Sequence, residues 1–151
     1  MNYEVITLEE KMVAGIEART NNFSPDMGMV IGGLWNRFYN EGIYESIPNK
    51  ASYKALGIYT DYAGDEKDDY TICVACEVKE GTAMADGIVL RKIPGGKYAR
   101  FIVKGDVQKA VAEFWQELWK MDLPRAYKCD FEEYQNDSME ECEIHIYISL
   151  V

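Results

Sequence analysis

The fold is decided by the segment SPDMGMVIGGLWNRFYNEG, residues 24–42, because this segment carries the signals of one complete helix. Ser24 is a predicted N-cap, and Pro25 takes the first helical position, where its missing N–H removes no hydrogen bond. Gly42 suits the left-handed residue that follows a helix. Apolar residues recur between them at helical spacing, at Met27, Ile31, Leu34, Trp35 and Phe38. The segment therefore predicts a first helix from about Asp26 to Glu41.

A second helix with the same pattern is predicted in the other half of the chain. Asp106 is its predicted N-cap, and the sequence Asp122-Leu-Pro124 ends it. One face of this helix carries Val107, Val111, Phe114, Trp115 and Leu118. In both helices a tryptophan is followed three positions later by an apolar residue, which indicates two related halves.

Extended segments surround the two helices in a common order. Residues 4–19 are predicted as an entering strand, in which Gly15 marks a bulge or a close approach of two backbones. The hairpin 55–62 and 70–78, with a polar turn at 64–69, follows the first helix. The second half has extended segments at 88–93 and 97–103, a turn at 94–96, strands at 128–134 and 142–150, and a loop at 135–141.

These segments predict an α+β fold and one domain over residues 1–151. Two β-α-β-β units, approximately 1–80 and 85–151, would share one antiparallel sheet with two helices around a pseudo-twofold axis. Neither unit alone buries both faces of its strands, so the two are expected to assemble together.

The charge balance restricts the partners of this chain. The 151 residues carry a formal net charge of −10, which repels nucleic acid backbones and anionic lipid surfaces and attracts cations. The first residues, MNYEV, lack the basic and apolar regions of a signal peptide, and no run of eighteen apolar residues occurs. We therefore predict a cytoplasmic protein with no direct nucleic acid partner and no membrane partner.

The cysteines and the histidine indicate neither a cofactor nor a catalytic centre. Cys73, Cys76, Cys129 and Cys142 are predicted to be reduced core thiols. Cys73 and Cys76 lie in one apolar strand, where a separation of three places their side chains on opposite faces. We predict no metal site and no cofactor. His145 is interpreted as an ordinary strand residue, and no catalytic residue is assigned.

A candidate binding surface comes from the last two strands. The side chains of residues 143, 145, 147 and 149 alternate with apolar ones, and Asp130, Glu132 and Tyr134 share one face of the preceding strand. Eleven tyrosines and three tryptophans supply aromatic faces that hold planar or cationic molecules. The alternatives are surface decoration for the carboxylates and core packing for Trp35 and Trp115.

Several motifs make the sequence resemble a known family. They are GLWNRF at 33–38, IPGGKYA at 93–99, KG at 104–105, FEEY at 131–134 and IYISL at 146–150. Together they are similar to the gyrase-inhibitor-like (GyrI-like) effector-binding domains, which stand alone or are attached to AraC-type and MerR-type regulators. Within that group the chain most resembles integron-cassette-associated proteins described as cationic-drug-binding modules, and the similarity covers the whole chain.

The resemblance implies a ligand cleft at the pseudo-twofold axis, with the carboxylate of Glu132 at its floor. Tyr147 matches the aromatic position of the Ile-Tyr-Ile pattern, which continues here into Ser149, where the family usually has Pro. Trp35 matches a tryptophan in the helix of the most similar subgroup, whereas Tyr59 and Trp115 are added from their positions alone. The predicted ligand-binding residues are therefore Glu132, Tyr147, Trp35, Tyr59 and Trp115.

The resemblance also implies the function. It predicts a stand-alone protein that binds a small organic, cationic molecule as a sensor, carrier or sequestering module. No helix-turn-helix segment fits beside the repeat, so transcription regulation would need a separate regulator protein; a homodimer is the other expected assembly. Two alternatives stay open: a hydrolase of cyclopropane-bearing compounds that uses the cleft glutamate, and a protein-binding inhibitor of the gyrase-inhibitor type with a DNA-like acidic surface.

Overall fold

The helices and strands follow one another in the same order in both halves of the chain. The computed structural model describes residues 1–65, 67–81, 86–136 and 138–151. In the first half the elements are β1 (Glu4–Leu8), β2 (Lys11–Thr20), α1 (Met27–Asn40), the one-turn helix α2 (Ile43–Ser46), β3 (Lys50–Thr60) and β4 (Tyr70–Val78). In the second half they are β5 (Val89–Ile93), β6 (Gly96–Gly105), α3 (Val107–Lys120), β7 (Cys129–Tyr134) and β8 (Cys142–Ser149).

The strands form one antiparallel sheet, which confirms the predicted α+β class. Their order is β1-β6-β8-β7-β3-β4-β2-β5. The strands β1, β2, β3 and β4 of the first half correspond to β5, β6, β7 and β8 of the second half. When each strand is exchanged with its counterpart, the order read from one end becomes the order read from the other end. A pseudo-twofold axis therefore passes between β3 and β7, which are the central neighbours. The helix α2 is an addition to the two predicted helices.

The entering strand differs from its prediction. Residues 4–19 were expected to form one strand, but the chain bends at Glu9 and Glu10 and separates β1 from β2. Pairing of Leu8 with Gly96 and of Lys11 with Ile93 keeps one continuous antiparallel register across this bend. Each half is thus a ββαββ unit whose first strand pairs with the second strand of the other half. The consecutive strands β1 and β2 pair with β6 and β5, and this paired segment joins both ends of the curled sheet.

The starts of the two long helices show different degrees of agreement with the sequence. Asp106 caps α3 as predicted, since its carboxylate accepts a hydrogen bond from the backbone N–H of Lys109 at 3.1 Å. In α1 the N-cap residue is Asp26, so the prediction of Ser24 as N-cap was wrong. The Ser24 hydroxyl instead accepts from the backbone N–H of Asp26 at 3.3 Å, which forms a turn before the helix. Gly42 has the predicted left-handed conformation, with φ of 73°.

The sheet buries apolar side chains on both faces. On one face α1 covers the strands of the first half and α3 covers those of the second half, which gives two helix-covered clusters. The opposite face carries a third cluster, built around Phe131, Tyr98 and Tyr147. The alternation predicted for β8 is confirmed, because Ile144, Ile146 and Ile148 are fully buried under α3. The face expected to be polar is also buried where it carries Tyr147.

Cys73 and Cys76 lie on opposite faces of the sheet, as expected for two residues three positions apart in one strand. Cys76 lies in the cluster under α1, whereas Cys73 lies in the cluster on the opposite face, so the predicted separation of the two thiols is confirmed. Burial raises the pKa of Cys73 to about 12 and that of Cys76 to about 11.

The close approach of two backbones predicted at Gly15 is also confirmed, since a Cβ there would lie 1.9 Å from the carbonyl oxygen of Val74.

Three parts of the sequence predictions fall partly outside the described residues. The turn at 64–69 includes Glu66 and the loop at 135–141 includes Asp137, neither of which the structure describes. Residue 85, the predicted start of the second repeat, also lies outside them. Within the described ranges, none of the helices is long and apolar enough to cross a membrane.

Candidate functional site

A pocket of about 490 Å³ lies on the helix-covered face of the sheet. The N-terminal half of α1 and one face of α3 form its two sides, and the central strands form its base. Its volume lies within the range of small-molecule sites in proteins. Six aromatic side chains contribute to the wall, namely Tyr59, Tyr62, Tyr70, Trp115, Trp119 and Tyr134. The remaining lining residues are Asn22, Met27, Gly28, Ile31, Val107, Gln108, Val111, Ala112, Gln116 and Arg125.

Glu132 lies directly behind this wall and is only 2% exposed. Its Oε2 accepts hydrogen bonds from the Tyr59 hydroxyl at 3.1 Å and from the Trp115 indole N–H at 3.0 Å. Its Oε1 accepts from the Tyr134 hydroxyl at 3.0 Å. All three donors are neutral and all three line the pocket. Among the described residues, no ion pair includes Glu132, so its charge is stabilised by dipoles alone.

The register of the central strands creates the space for this carboxylate. Glu132 in β7 pairs with Gly57 in β3. A Cβ on Gly57 would lie 2.9 Å from Oε1 of Glu132 and 3.3 Å from Cζ2 of Trp35. Glycine at this position therefore leaves room for both side chains. Trp35 also contacts the ring of Tyr134 edge to face, with 5.1 Å between centroids, and supports the tyrosine that binds Glu132.

The surroundings of Glu132 shift the pKa values of the whole group. Burial raises the pKa of Glu132, and the hydrogen bonds from Trp115, Tyr134 and Tyr59 offset this rise only in part. Burial and the nearby Glu132 charge raise the pKa of Tyr59 and of Tyr134 well above the usual value. Both phenols therefore keep their protons and act as donors to the carboxylate.

A second carboxylate, Asp130, lies two residues earlier on the same face of β7. It is fully buried, and its Oδ2 accepts from the Arg125 guanidinium at 2.8 Å and from the Tyr62 hydroxyl at 2.7 Å. Its Oδ1 accepts from the backbone N–H of Ser149 at 2.8 Å and from its hydroxyl at 3.1 Å. Unlike Glu132, Asp130 is thus paired with a cation.

The structure brings three of the five predicted site residues into direct contact. Glu132, Tyr59 and Trp115 are joined by hydrogen bonds, and the rings of Tyr59 and Trp115 also meet at 5.2 Å between centroids. Trp35 lies behind Gly57, in contact with Tyr134.

Tyr147 is not brought to the pocket. It pairs with Phe131 and stacks on its ring at 4.6 Å between centroids, on the face of the sheet opposite to Glu132. The reason is the strand register, because Glu132 pairs with Ile146 and the next pair must point to the other side. Tyr147 therefore belongs to the third core cluster in this structure.

Some lining residues were not predicted from the sequence. Tyr134 had a local signal, since it lies two positions from Glu132 on the same strand face. Trp119 also had one, because it lies four positions from Trp115 on one helix. Arg125, Tyr62 and Tyr70 come from three separate segments and meet only in the folded chain, so no spacing in the sequence indicates their grouping.

Comparison with known proteins gives a consistent picture of the fold. Residues 4–150 match the model of a family described as integron-associated effector binding protein. An integron cassette protein from the mobile metagenome of Vibrio cholerae is 26% identical, with a TM-score of 0.72 over 97% of this chain and 95% of that chain. A comparison with curated protein sequences finds no match.

Two other solved structures are similar in fold at lower identity. SAV2435, solved bound to tetraphenylphosphonium, is 20% identical, with a TM-score of 0.80 over 98% of this chain and 93% of that chain. The C-terminal domain of EcmrR is 16% identical, with a TM-score of 0.57 over the full length of both chains.

Proposed function

Because the chain belongs to the family of integron-associated effector-binding proteins, we propose that its effector is a small organic cation, held in the aromatic pocket with Glu132 as counter-charge. The observation that carries this proposal is the environment of Glu132. A buried carboxylate with neutral donors alone remains electrostatically unsatisfied, because dipoles compensate a charge less completely than an opposite charge does. A cation that enters the pocket supplies the missing compensation.

The pocket wall suits the same class of ligand. Tyrosine and tryptophan faces attract cations, with about 0.5–2 kcal/mol for each well-placed contact. Six such side chains surround the cavity, and they also provide apolar area for a ligand with aromatic or aliphatic groups. The tetraphenylphosphonium bound by SAV2435 combines these two properties, a delocalised positive charge and an apolar surface. It is therefore a suitable first probe for this chain.

Binding is favoured over hydrolysis by the hydrogen bonds of Glu132. A general base needs access to a water molecule that it can deprotonate. Both oxygens of Glu132 instead accept hydrogen bonds from side chains of the pocket wall. This arrangement orients and stabilises a charge.

Cation binding is the property that a sensor, a carrier and a sequestering protein would share. A sensor would act through a separate regulator protein.

Ligand-dependent melting tests this proposal. Tetraphenylphosphonium should stabilise the folded protein by about 2.7 kcal/mol at a concentration of about 100 times its Kd. Triphenylphosphine oxide, which keeps three of the four phenyl groups but carries no net charge, should give a much smaller rise in Tm at equal concentration. Equal rises for the two compounds would reject a cation-selective site, and no rise with either would reject the pocket as a site for this class.

A further inference from the structure

The pocket is bordered by two buried carboxylates, of which one is paired with a cation and the other is not. Asp130 and Glu132 lie two residues apart on the same face of β7, at 0% and 2% exposure. Two strand residues span roughly 7 Å, so both charges lie close to the same cavity. Arg125 compensates Asp130, whereas Glu132 has only neutral donors. The described part of this site thus provides one uncompensated negative charge.

Arg125 is placed where it acts on a ligand. It lines the pocket, and its side chain is 6% exposed, so solvent screens its charge weakly. Its guanidinium contacts Asp130 on one side and the Tyr127 ring on another, at 4.4 Å from the centroid. The backbone is fixed by a β-bridge between Arg125 and Leu150. The position of this cation at the edge of the pocket is therefore defined by three contacts.

We propose that Arg125 limits the ligand to one positive charge, because it cancels Asp130 and repels any second cationic group. This inference rests on the proposed function and specifies its substrate class as monocations over dications. A second positive charge at the Arg125 end of the pocket would meet the guanidinium before it met the carboxylate behind it. At an effective dielectric constant of about 20, a unit charge roughly 10 Å away changes affinity on the order of tenfold.

Asp130 should keep its position when Arg125 is replaced. The Tyr62 hydroxyl and both donors of Ser149 bind it independently of the arginine. Ser149 contributes a backbone N–H, which a proline at this position would lack. Replacing Arg125 by Gln therefore leaves a held carboxylate beside the pocket without its cation. This change should give the site two carboxylates that lack a cation.

Two ligands built on the same two-ring frame test the proposal. N-methyl-4-phenylpyridinium carries one positive charge, and methyl viologen carries a second one at the other end of the same two-ring frame. Calorimetric titration gives the ratio of their affinities for each variant. The wild type should prefer the monocation. Arg125→Gln should shift the ratio toward methyl viologen on the order of tenfold, by the same Coulomb estimate.

The reverse variant gives an independent test with the opposite sign. Asp130→Asn leaves Arg125 in place without its partner, so the repulsion of cations at this end of the pocket increases. Methyl viologen should lose more affinity than the monocation, and the ratio should move away from the dication. Lys128→Gln removes an exposed cation three positions from Arg125 and controls for net charge; it should leave the ratio unchanged.

The outcomes separate this inference from the proposed function. If the wild type binds neither N-methyl-4-phenylpyridinium nor tetraphenylphosphonium, the proposed function fails. In a second outcome, the wild type binds the monocation, while Arg125→Gln and Asp130→Asn both have the wild-type ratio of affinities for the two ligands. That result rejects the role of Arg125 and leaves the proposed cation site in place. Circular dichroism establishes that each variant is folded. If only one of Arg125→Gln and Asp130→Asn folds, the direction in which it changes the affinity ratio decides. A ratio equal to that of Lys128→Gln rejects the proposal.

Discussion

At the scale of single residues, the state of Glu132 depends on two opposing effects. Burial favours the protonated carboxyl, whereas three hydrogen bonds favour the carboxylate, and the pKa is raised because burial dominates. A folded pKa above the unfolded value means that the native state holds its proton over a pH window in which the unfolded chain loses it. The free energy of unfolding therefore falls as the pH rises through this window.

The raised pKa of Glu132 predicts how Glu132→Gln changes stability with pH. Glutamine removes the ionisation, so the variant should gain stability relative to wild type as the pH rises from the ordinary glutamate pKa of about 4.3 through the raised pKa. Each unit of difference between folded and unfolded pKa corresponds to about 1.4 kcal/mol. Melting curves from pH 4 upward measure the gain.

The matched control for this prediction is Glu133→Gln. Glu133 is the neighbouring residue on the opposite face, 3.9 Å from the ammonium groups of both Lys11 and Lys54. Its replacement removes partly exposed ion pairs and should not produce a gain. A difference between Glu132→Gln and wild type that stays constant with pH would contradict the raised pKa.

The sequence located some of these residues because their relationship is local. The spacing of two residues in a strand predicted that Asp130, Glu132 and Tyr134 share a face, and the structure confirms it. Placing Tyr147 relative to Glu132 required the pairing of β7 with β8. A shift of one residue in that register exchanges the two faces, and no local pattern fixes it.

At the scale of elements, α1 contains glycines that packing does not require. A Cβ on Gly32 or on Gly33 would meet no heavy atom within 4 Å. Glycine in a helix interior is less favourable than alanine by about 1 kcal/mol, because the unfolded chain loses more conformational freedom. The helix on one side of the pocket is thus less stable than its packing allows.

Alanine at these two positions should therefore stabilise the protein. We expect Gly32→Ala and Gly33→Ala each to raise the free energy of unfolding by about 0.4–1 kcal/mol. Gly15→Ala is the contrasting control, because its Cβ would overlap the carbonyl oxygen of Val74 at 1.9 Å and should destabilise the sheet. Denaturant titrations measure all three. A loss of stability in both helix variants would show that these glycines have a packing role.

The two long helices also show why boundaries differ in predictability. At Asp106 one capping residue precedes an immediate apolar repeat, and the predicted cap is correct. Before α1, three residues in a row, Ser24, Pro25 and Asp26, suit a helix start. The helix has the last of them as its N-cap, and the Ser24 hydroxyl accepts a hydrogen bond from the Asp26 N–H in the preceding turn. Such a choice depends on local competition between turns that periodicity does not describe.

At the scale of the whole molecule, the site is a product of the duplication. The pseudo-twofold axis passes between β3 and β7, so Tyr59 from one half and Glu132 from the other meet beside it. The sequence predicted the duplicated α+β fold from the recurring order of elements. It did not predict the exchange of β1 and β5 between halves, because pairings such as Glu4 with Arg100 join residues distant in the chain.

The same organisation supports our proposal that one carboxylate determines selectivity. The net charge of −10 attracts cations to the molecule as a whole, but salt screens this field over about 10 Å. Glu132 lies in a buried position, where screening is weak and its charge acts on the pocket at short range. We therefore expect the distinction between charged and neutral ligands to depend on this residue.

The most direct measurement of this claim is a titration of tetraphenylphosphonium and triphenylphosphine oxide against wild type, Glu132→Gln and Glu133→Gln. Loss of one member of a desolvated charge pair commonly costs about 2–5 kcal/mol. Glu132→Gln should therefore weaken cation binding by at least roughly thirtyfold, with a far smaller effect on the neutral compound and no comparable loss in Glu133→Gln. Equal losses for both compounds would assign Glu132 a structural role, and unchanged cation affinity would exclude Glu132 from the binding site.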